Sequence, residues 1–182
     1  MRAADRIALL GVSQAGYWVP RAAVHEPRLA AIVADPGVVD VSTTLLDHLP
    51  HSMTKLLDAG DKAKFDRNMH TSERFSKSMR AMIALRFRPY GTDSAYEAFI
   101  TARTFALTDD DIAAITCPTL VADPEHEQCW PGQAQELYDR LTADKELVRF
   151  TAEEGADSHC EPAANALRAE RFFDWLDEKV PA

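Results

Sequence analysis

The sequence contains few of the residues that mark a disulfide framework, a metal-binding domain or a membrane protein. It has only 3 cysteines among 182 residues, and Cys117, Cys129 and Cys160 are widely spaced and outside any C-x-x-C pattern. We therefore expect neither paired cysteines nor a metal site, and a reducing cytoplasm is the simplest compartment. No apolar stretch approaches the ~18 residues of a membrane span, and the N-terminus lacks the pattern of a signal peptide.

The chain also lacks any cluster of positive charge. Its formal net charge is −9, and it contains no run of Lys or Arg. This charge pattern gives no electrostatic footprint for nucleic acid or for an anionic membrane, so a small-molecule substrate fits better than either. With 46% hydrophobic residues, the composition is that of a globular domain long enough to bury one core.

Short apolar runs alternate with helical stretches at both ends of the chain. Arg6–Gly11 and Leu29–Ala34 are typical of buried strands, and a helix interrupted by Pro20 separates them. The same rhythm returns later with a strand at Thr119–Ala122 and a strand near a sheet edge at Glu146–Thr151, each followed by a helix. Strand, helix and strand in this order predict an α/β fold with a mainly parallel sheet.

The middle of the chain has a different character. Residues 40–111 are rich in polar residues and follow a helical pattern, which predicts an inserted helical cap between two parts of an α/β core, 1–39 and 112–182. The apolar positions of this segment form two stripes, namely Met79, Met82, Ile83 and Phe87, and then Tyr96, Phe99, Ile100 and Leu107. Ordinary packing of cap helices explains these stripes as well as contact with an apolar or aromatic substrate does.

One short motif carries the chemical signal of this sequence. Ser13 stands between the first strand and the first helix, with Gly11 two residues before it and Ala15 and Gly16 after it. A serine nucleophile held in a tight strand-to-helix turn needs small residues around it, and this pattern meets that need. A serine after a strand is also a common helix N-cap, so the motif needs a base and an acid elsewhere in the chain.

With a histidine in the loop between the last strand and the last helix, the sequence resembles the α/β-hydrolase superfamily along nearly all of its length. His159 lies in that loop, within Glu153–Cys160. More narrowly, the segments around Pro131 and Phe150–Ala156 look like the prolyl-oligopeptidase-related branch. That branch includes polyketide-shortening hydrolases and dihydropseudooxynicotine hydrolase, which cleave carbon–carbon bonds next to ketones. The other histidines, including His126, do not occupy the position of the base.

The resemblance implies a catalytic triad in the chain order serine, acid, histidine. It assigns Ser13 as the nucleophile, Glu127 as the acid and His159 as the base, and it makes the backbone N–H of Gln14 one donor of the oxyanion hole. Glu127 is preferred because it lies a few residues before Pro131, as the acid does in this family, whereas Glu125 is the alternative acid and Asp123 is expected to end the strand. Most relatives have Asp where this chain has Glu127.

The resemblance covers only the C-terminal half of the hydrolase core, with strands equivalent to the fifth to eighth of the family. The strands expected before the nucleophile, and the loop that supplies the second oxyanion donor, are absent from this sequence. We therefore expect a fragment or truncated form that is a homo-oligomer or binds a missing N-terminal half. Losing one preorganised donor slows such reactions ~10²–10³-fold.

Three functions fit these observations. The first is a serine hydrolase of ester, amide or ketone-adjacent C–C bonds that needs no metal or organic cofactor. The second is a non-catalytic remnant or interaction module that keeps the fold. The third is one chain of a split hydrolase whose remaining strands come from a separate polypeptide. The substrate of the hydrolase is expected to be a small molecule with an apolar or aromatic group.

Overall fold

The fold contains a four-stranded parallel sheet. The computed structural model describes residues 7–77, 80–81, 83, 87 and 90–181. The strands lie in the order β1-β2-β3-β4, which is also their order along the chain. Their bounds are Ile7–Val12 for β1, Leu29–Asp35 for β2, Thr119–Pro124 for β3 and Lys145–Phe150 for β4. This confirms the predicted α/β fold, and the strand bounds differ from the predicted ones by no more than two residues.

Helices connect and flank these strands. Their bounds are Ala15–Ala23 for α1, Thr43–Leu46 for α2, His51–Asp58 for α3, Lys62–Phe75 for α4, Ala95–Ala102 for α5, Asp109–Ala113 for α6, Gln133–Arg140 for α7 and Asn165–Lys179 for α8. Helix α8 packs through Phe172 and Trp175 on the buried side chains of β2, β3 and β4. Within the described part of the chain, no helix has the length and apolar character needed to cross a membrane.

The chain divides into two compact units, with the second inserted in the first. Met1–Asp40 and Ala106–Ala182 form the first unit, and Val41–Phe105 forms the second. The boundary after the insertion thus precedes the one expected at residue 111, because α6 packs with the first unit. Arg140 on α7 donates hydrogen bonds to Asp109 at 3.0 Å and to the carbonyl oxygen of Leu107 at 3.2 Å.

The second unit has a hydrophobic core of its own. Helices α3, α4 and α5 contact one another, and Phe65, Phe87 and Phe99 pack edge to face at the centre of the cluster. Its buried apolar residues include Met53, Leu57 and Met69. Met79 and Met82, which the sequence placed on the same stripe as Ile83, lie outside the described residues.

The chain enters and leaves the insertion through neighbouring residues of the first unit. Asp40 and Ala106 form an isolated antiparallel β-bridge, and the N–H of Leu107 donates to the carbonyl oxygen of Val39 at 2.9 Å. The side chain of Gln133 on α7 fixes the entry, because its Oε1 accepts from the N–H groups of Val39 and Asp40, both at 2.8 Å. Both ends of the insertion are therefore held by hydrogen bonds within the first unit.

Strand β1 is less buried than its sequence predicts. Its apolar run suggested a strand buried on both faces, but within the described residues β1 pairs only with β2 and forms an edge of the sheet. Leu10 is 40% exposed and Val12 is 38% exposed, whereas Ile32, Val33 and Ala34 of the neighbouring strand are fully buried. An apolar sequence shows that a strand can be buried, but the neighbours that would bury it come from the tertiary structure.

Candidate active site

Ser13 occupies a strained turn directly after β1. Its φ angle is +61°, a left-handed conformation that non-glycine residues seldom adopt, and its N–H donates to the carbonyl oxygen of Asp35 at 2.6 Å. Gln14, not Ser13, is the N-cap residue of α1, and its side chain makes no capping hydrogen bond. The helix-cap explanation of the serine is therefore wrong, and Ser13 projects from a turn of the kind that presents a nucleophile.

Two glycines allow the backbone to pass close to this turn. A Cβ atom on Gly11 would lie 2.2 Å from the carbonyl oxygen of Ala15, and one on Gly16 would lie 1.8 Å from the carbonyl oxygen of Pro36. Both positions therefore exclude a side chain. The close approach after the serine therefore falls on Gly16, three residues on, and not on Ala15.

A chain of hydrogen bonds joins Ser13, His159 and Glu127. The Oγ of Ser13 lies 2.9 Å from Nε2 of His159, and Nδ1 of His159 lies 2.9 Å and 2.8 Å from the two carboxyl oxygens of Glu127. Ser13 and the loops that carry Glu127 and His159 follow the carboxyl ends of β1, β3 and β4, which meet at one edge of a parallel sheet. Residues that are 146 positions apart in the sequence are thus in direct contact.

The surroundings of Glu127 keep its carboxyl group ionised. Its side chain is only 4% exposed, and this burial raises its pKa. Hydrogen bonds from His159 and from the backbone N–H groups of Cys129, at 2.6 Å, and Trp130, at 3.1 Å, outweigh the burial, so the pKa of Glu127 lies below its usual value. A buried carboxylate that accepts from an imidazole N–H fixes the tautomer of that imidazole and stabilises its protonated form.

The sequence is similar to two curated fungal hydrolases. It is 27% identical over 190 aligned positions to hydrolase LUC6 of Fusarium sp and 25% identical to hydrolase ORFZ of Pyricularia oryzae. The alignments cover 96% of this chain but 43% of each relative, so the chain spans less than half the length of the curated relatives that it matches. No protein-family model matches the sequence.

Solved structures decide the fold. AbyA5 superposes with a TM-score of 0.66 at 18% identity, covering 97% of this chain and 43% of AbyA5. The 2,6-dihydroxy-pseudo-oxynicotine hydrolase gives a TM-score of 0.61 at 22% identity, with 97% and 41% coverage of the two chains. The alpha/beta hydrolase GrgF of Penicillium sp. sh18 gives 0.64 at 16% identity, with 98% and 65% coverage. This chain has the α/β-hydrolase fold.

The alternative candidate residues lie in other contacts. Glu125 accepts a hydrogen bond from the N–H of Ala152 at 2.8 Å and is exposed. Asp123 was expected to end β3 and is its penultimate residue, where it forms an ion pair with Arg149 at 3.0 Å. Nδ1 of His126 lies 2.7 Å from Asp157, which raises the pKa of His126. The contacts of Glu125 and His126 join the loop that follows β3 to the loop that follows β4 without involving His159.

Three residues that sequence reasoning missed lie next to Ser13, His159 and Glu127. Asp35 ends β2 and is fully buried, Glu161 follows His159 by two residues and is also fully buried, and Arg168 reaches both from α8. The sequence held one signal for Asp35, a carboxylate at the end of an otherwise apolar strand. It held none for Glu161, because nothing local distinguishes this residue from the exposed carboxylates of the same loop.

Two further features of the site concern ligands. The backbone N–H of Gln14 donates to no acceptor in the described part of the chain, so it is free to bind an oxyanion. Glu127, Cys129 and His159 offer potential ligand atoms within 4.8 Å of one another. Since Glu127 and His159 are already hydrogen-bonded to each other, we assign no ion to them.

Proposed function

We propose that the chain is a serine hydrolase in which Ser13 is the nucleophile, His159 the general base and Glu127 the acid. The observation that carries this proposal is the unbroken series of hydrogen bonds from the Ser13 hydroxyl through both ring nitrogens of His159 to Glu127. The hydrolase fold and the hydrolase names of the relatives support the same reaction class. A fold hosts many functions, so the geometry of the three side chains weighs most.

The proposed reaction proceeds through an acyl-enzyme. Nε2 of His159 takes the proton of the Ser13 hydroxyl while Oγ attacks the carbonyl carbon of the substrate, and the backbone N–H of Gln14 stabilises the resulting oxyanion. The tetrahedral intermediate collapses when His159 returns the proton to the leaving group. A water molecule then hydrolyses the ester on Ser13 by the same steps, restoring the free serine. A ketone-adjacent C–C bond is broken in the same way when a stabilised carbanion leaves.

The proposed substrate is a small molecule with an apolar or aromatic group. A structural neighbour is named as a hydrolase of 2,6-dihydroxy-pseudo-oxynicotine, a small molecule. The second unit contains a cavity of about 200 Å³ lined by apolar side chains that include Leu45, Leu49, Met53, Phe87 and Phe99. A cavity of this composition favours an apolar group over a charged one.

A cytoplasmic location remains a prediction, and it agrees with the three free thiols of the chain.

The test combines a covalent probe with an activated ester. We expect a fluorophosphonate to label the protein and p-nitrophenyl acetate to be hydrolysed, and Ser13→Ala to abolish labelling and to lower kcat/KM by at least ~10³-fold. Ser52→Ala, at an exposed serine of α3, is the matched control and keeps both signals. Labelling that persists in Ser13→Ala would overturn the proposal.

Two other results would favour the alternatives. A folded wild-type chain that neither takes the probe nor hydrolyses the ester indicates a non-catalytic module with the same fold. Activity that appears only when a separate polypeptide co-purifies with the chain indicates one part of a split hydrolase. Either result leaves the fold unchanged and removes the assignment of a self-sufficient enzyme.

A further inference from the structure

Two carboxyl groups outside the triad are completely buried beside it. Asp35, the last residue of β2, and Glu161, two residues after His159, are both 0% exposed. Burial of a carboxylate is costly unless a cation or hydrogen-bond donors compensate it. The partners of these two side chains therefore decide their charge.

One cation serves both carboxyl groups. Nη1 of Arg168 lies 3.5 Å from Oδ2 of Asp35 and donates to the carbonyl oxygen of Cys160 at 2.8 Å. In the described part of the chain, Oδ1 of Asp35 and both carboxyl oxygens of Glu161 are buried and accept no hydrogen bond. One guanidinium compensates one negative charge, so the second carboxyl group must keep its proton to remain buried.

The balance of forces assigns that proton to Glu161. Burial, and then the charge of Asp35, raise the pKa of Glu161 to about 9, against a smaller opposing effect of Arg168. Burial raises the pKa of Asp35 to about 6, with Arg168 as the largest opposing effect. At neutral pH Glu161 is thus the protonated member of the pair and Asp35 the ionised one.

The backbone of Asp35 also forms hydrogen bonds with Ser13 and with Cys160, which follows His159 directly. The carbonyl oxygen of Asp35 accepts from the N–H of Ser13 at 2.6 Å and from the thiol of Cys160 at 3.6 Å. Cys160 and Glu161 have φ angles of +58° and +45°, left-handed conformations that non-glycine residues keep only where their surroundings enforce them. The contacts of Asp35, Glu161 and Arg168 supply that enforcement directly after His159.

We propose that Asp35 and Glu161 share one proton and act, with Arg168, as positioning residues that hold His159 against Ser13. The proposal rests on the proposed function of the triad and adds a means of controlling it. Loss of the shared proton would place two negative charges in a buried site with one cation, and the resulting repulsion would move the His159 loop away from β2. Hydrolysis should therefore fall at alkaline pH although all three triad residues are intact.

The other charged or titratable groups that face the pair are Arg168, His159, Glu127 and Cys160. Arg168 faces it from α8, and the residue on the other side of the loop is His159, whose partner Glu127 is an ionised carboxylate. The remaining group is the thiol of Cys160, where burial and then the charge of Asp35 raise the pKa to about 12. A decline in activity near pH 9 that is lost in Glu161→Gln is therefore the signature of Glu161.

The first test is the pH profile of kcat/KM for p-nitrophenyl acetate, with the Ser13→Ala protein as the blank. We expect the wild type to lose activity as the pH rises through about 9. Glu161→Gln should lack this decline, because its neutral amide cannot ionise. Glu161→Ala should lower kcat/KM at least ~10-fold at pH 7, since a displacement of the base by a fraction of an ångström is costly. Glu153→Gln, at an exposed carboxylate of the same loop, is the control and should follow the wild type.

The second test measures thermal unfolding against pH and needs no activity. A carboxyl group whose pKa rises from 4.5 to about 9 on folding gives its full stabilisation in acid, and loses it as the pH rises through this range. The melting temperature of the wild type should therefore fall relative to that of Glu161→Gln between about pH 5 and 9.

The two tests separate failure of this inference from failure of the proposed function. Turnover that survives in Ser13→Ala overturns the triad. An inactive Ser13→Ala protein, together with the same alkaline decline and the same stability curve in the wild type and Glu161→Gln, overturns the positioning pair alone. If Glu161→Ala does not fold, the comparison of the wild type with Glu161→Gln still decides.

Discussion

At the scale of single residues, the acid of the candidate triad shows how a glutamate works where aspartate is usual. Glu127 is one methylene longer than aspartate, and both of its carboxyl oxygens lie within 2.9 Å of Nδ1 of His159. The backbone N–H groups of Cys129 and Trp130 hold the carboxylate from the other side. The local turn from Glu127 to Trp130 therefore takes up the additional length.

A pair of isosteric substitutions tests this assignment. Glu127→Gln removes the charge that orients and stabilises the His159 imidazole, so we expect kcat/KM to fall about 10³–10⁴-fold. Glu125→Gln, two residues away, affects only an exposed side chain that accepts from the N–H of Ala152 and should change the rate less than about 3-fold. Ester hydrolysis by the two variants, at equal folded fraction, provides the measurement. Equal or reversed losses would transfer the role of the acid to Glu125.

At the scale of secondary-structure elements, the turn from β1 into α1 depends on close backbone contacts. Gly16 lies in the first turn of α1 against the carbonyl oxygen of Pro36, in the segment that follows β2. This contact involves backbone atoms on both sides, so neither partner can move away as a flexible side chain would. The position of α1, and with it that of Ser13, therefore depends on Gly16, a residue that takes no part in the proposed reaction.

A comparison of two glycine substitutions measures this constraint. Gly16→Ala places a Cβ atom where only 1.8 Å separates it from an oxygen, and we expect it to lower the free energy of unfolding by roughly 3 kcal/mol. Gly155→Ala meets no atom within 4 Å and carries only the strain of a left-handed residue, about 1 kcal/mol. Denaturant titration of both variants gives the two values. If Gly16→Ala were the milder change, the close approach would not constrain the turn.

The strands and the turn at Ser13 could be predicted from the sequence, whereas the exposure or burial of several of their residues could not. Apolar runs and the small residues around Ser13 located the strands and the turn, because these features depend on local sequence. The exposure of Leu10 and the burial of Glu161 depend on which distant segments pack beside them. A single sequence carries no local signal for such contacts, so the pairing of Asp35 with Glu161 beside the candidate triad became visible only in three dimensions.

At the scale of the whole molecule, the edge strand β1 is the feature most open to further contacts. Within the described residues its second edge pairs with no strand, and Leu10 and Val12 remain more than a third exposed. Edge strands with apolar side chains readily pair with other strands. The negative net charge of the chain opposes such pairing only weakly at physiological salt, because screening is strong beyond ~8 Å.

We expect the 182-residue chain to associate through this edge. Sedimentation at increasing protein concentration should show a dimer, a complex with a co-purified polypeptide, or larger aggregates. Leu10→Glu places a charge on the exposed strand and should shift the population toward the monomer. Phe173→Glu, at the 59% exposed apolar residue of α8, is the control and should leave association unchanged. A wild type that stays monomeric at every concentration contradicts this expectation.

The bridge between Asp40 and Ala106 has a consequence for how such a protein can diversify. Because Asp40 and Ala106, which flank the insertion, face each other across an isolated antiparallel bridge, a segment of different length can begin and end there without changing the separation of its ends. The inserted helices can therefore be exchanged, lengthened or replaced over evolutionary time as one cassette. Ser13, Glu127 and His159 all lie outside that cassette, so the inserted segment can change without altering the contacts of the proposed triad.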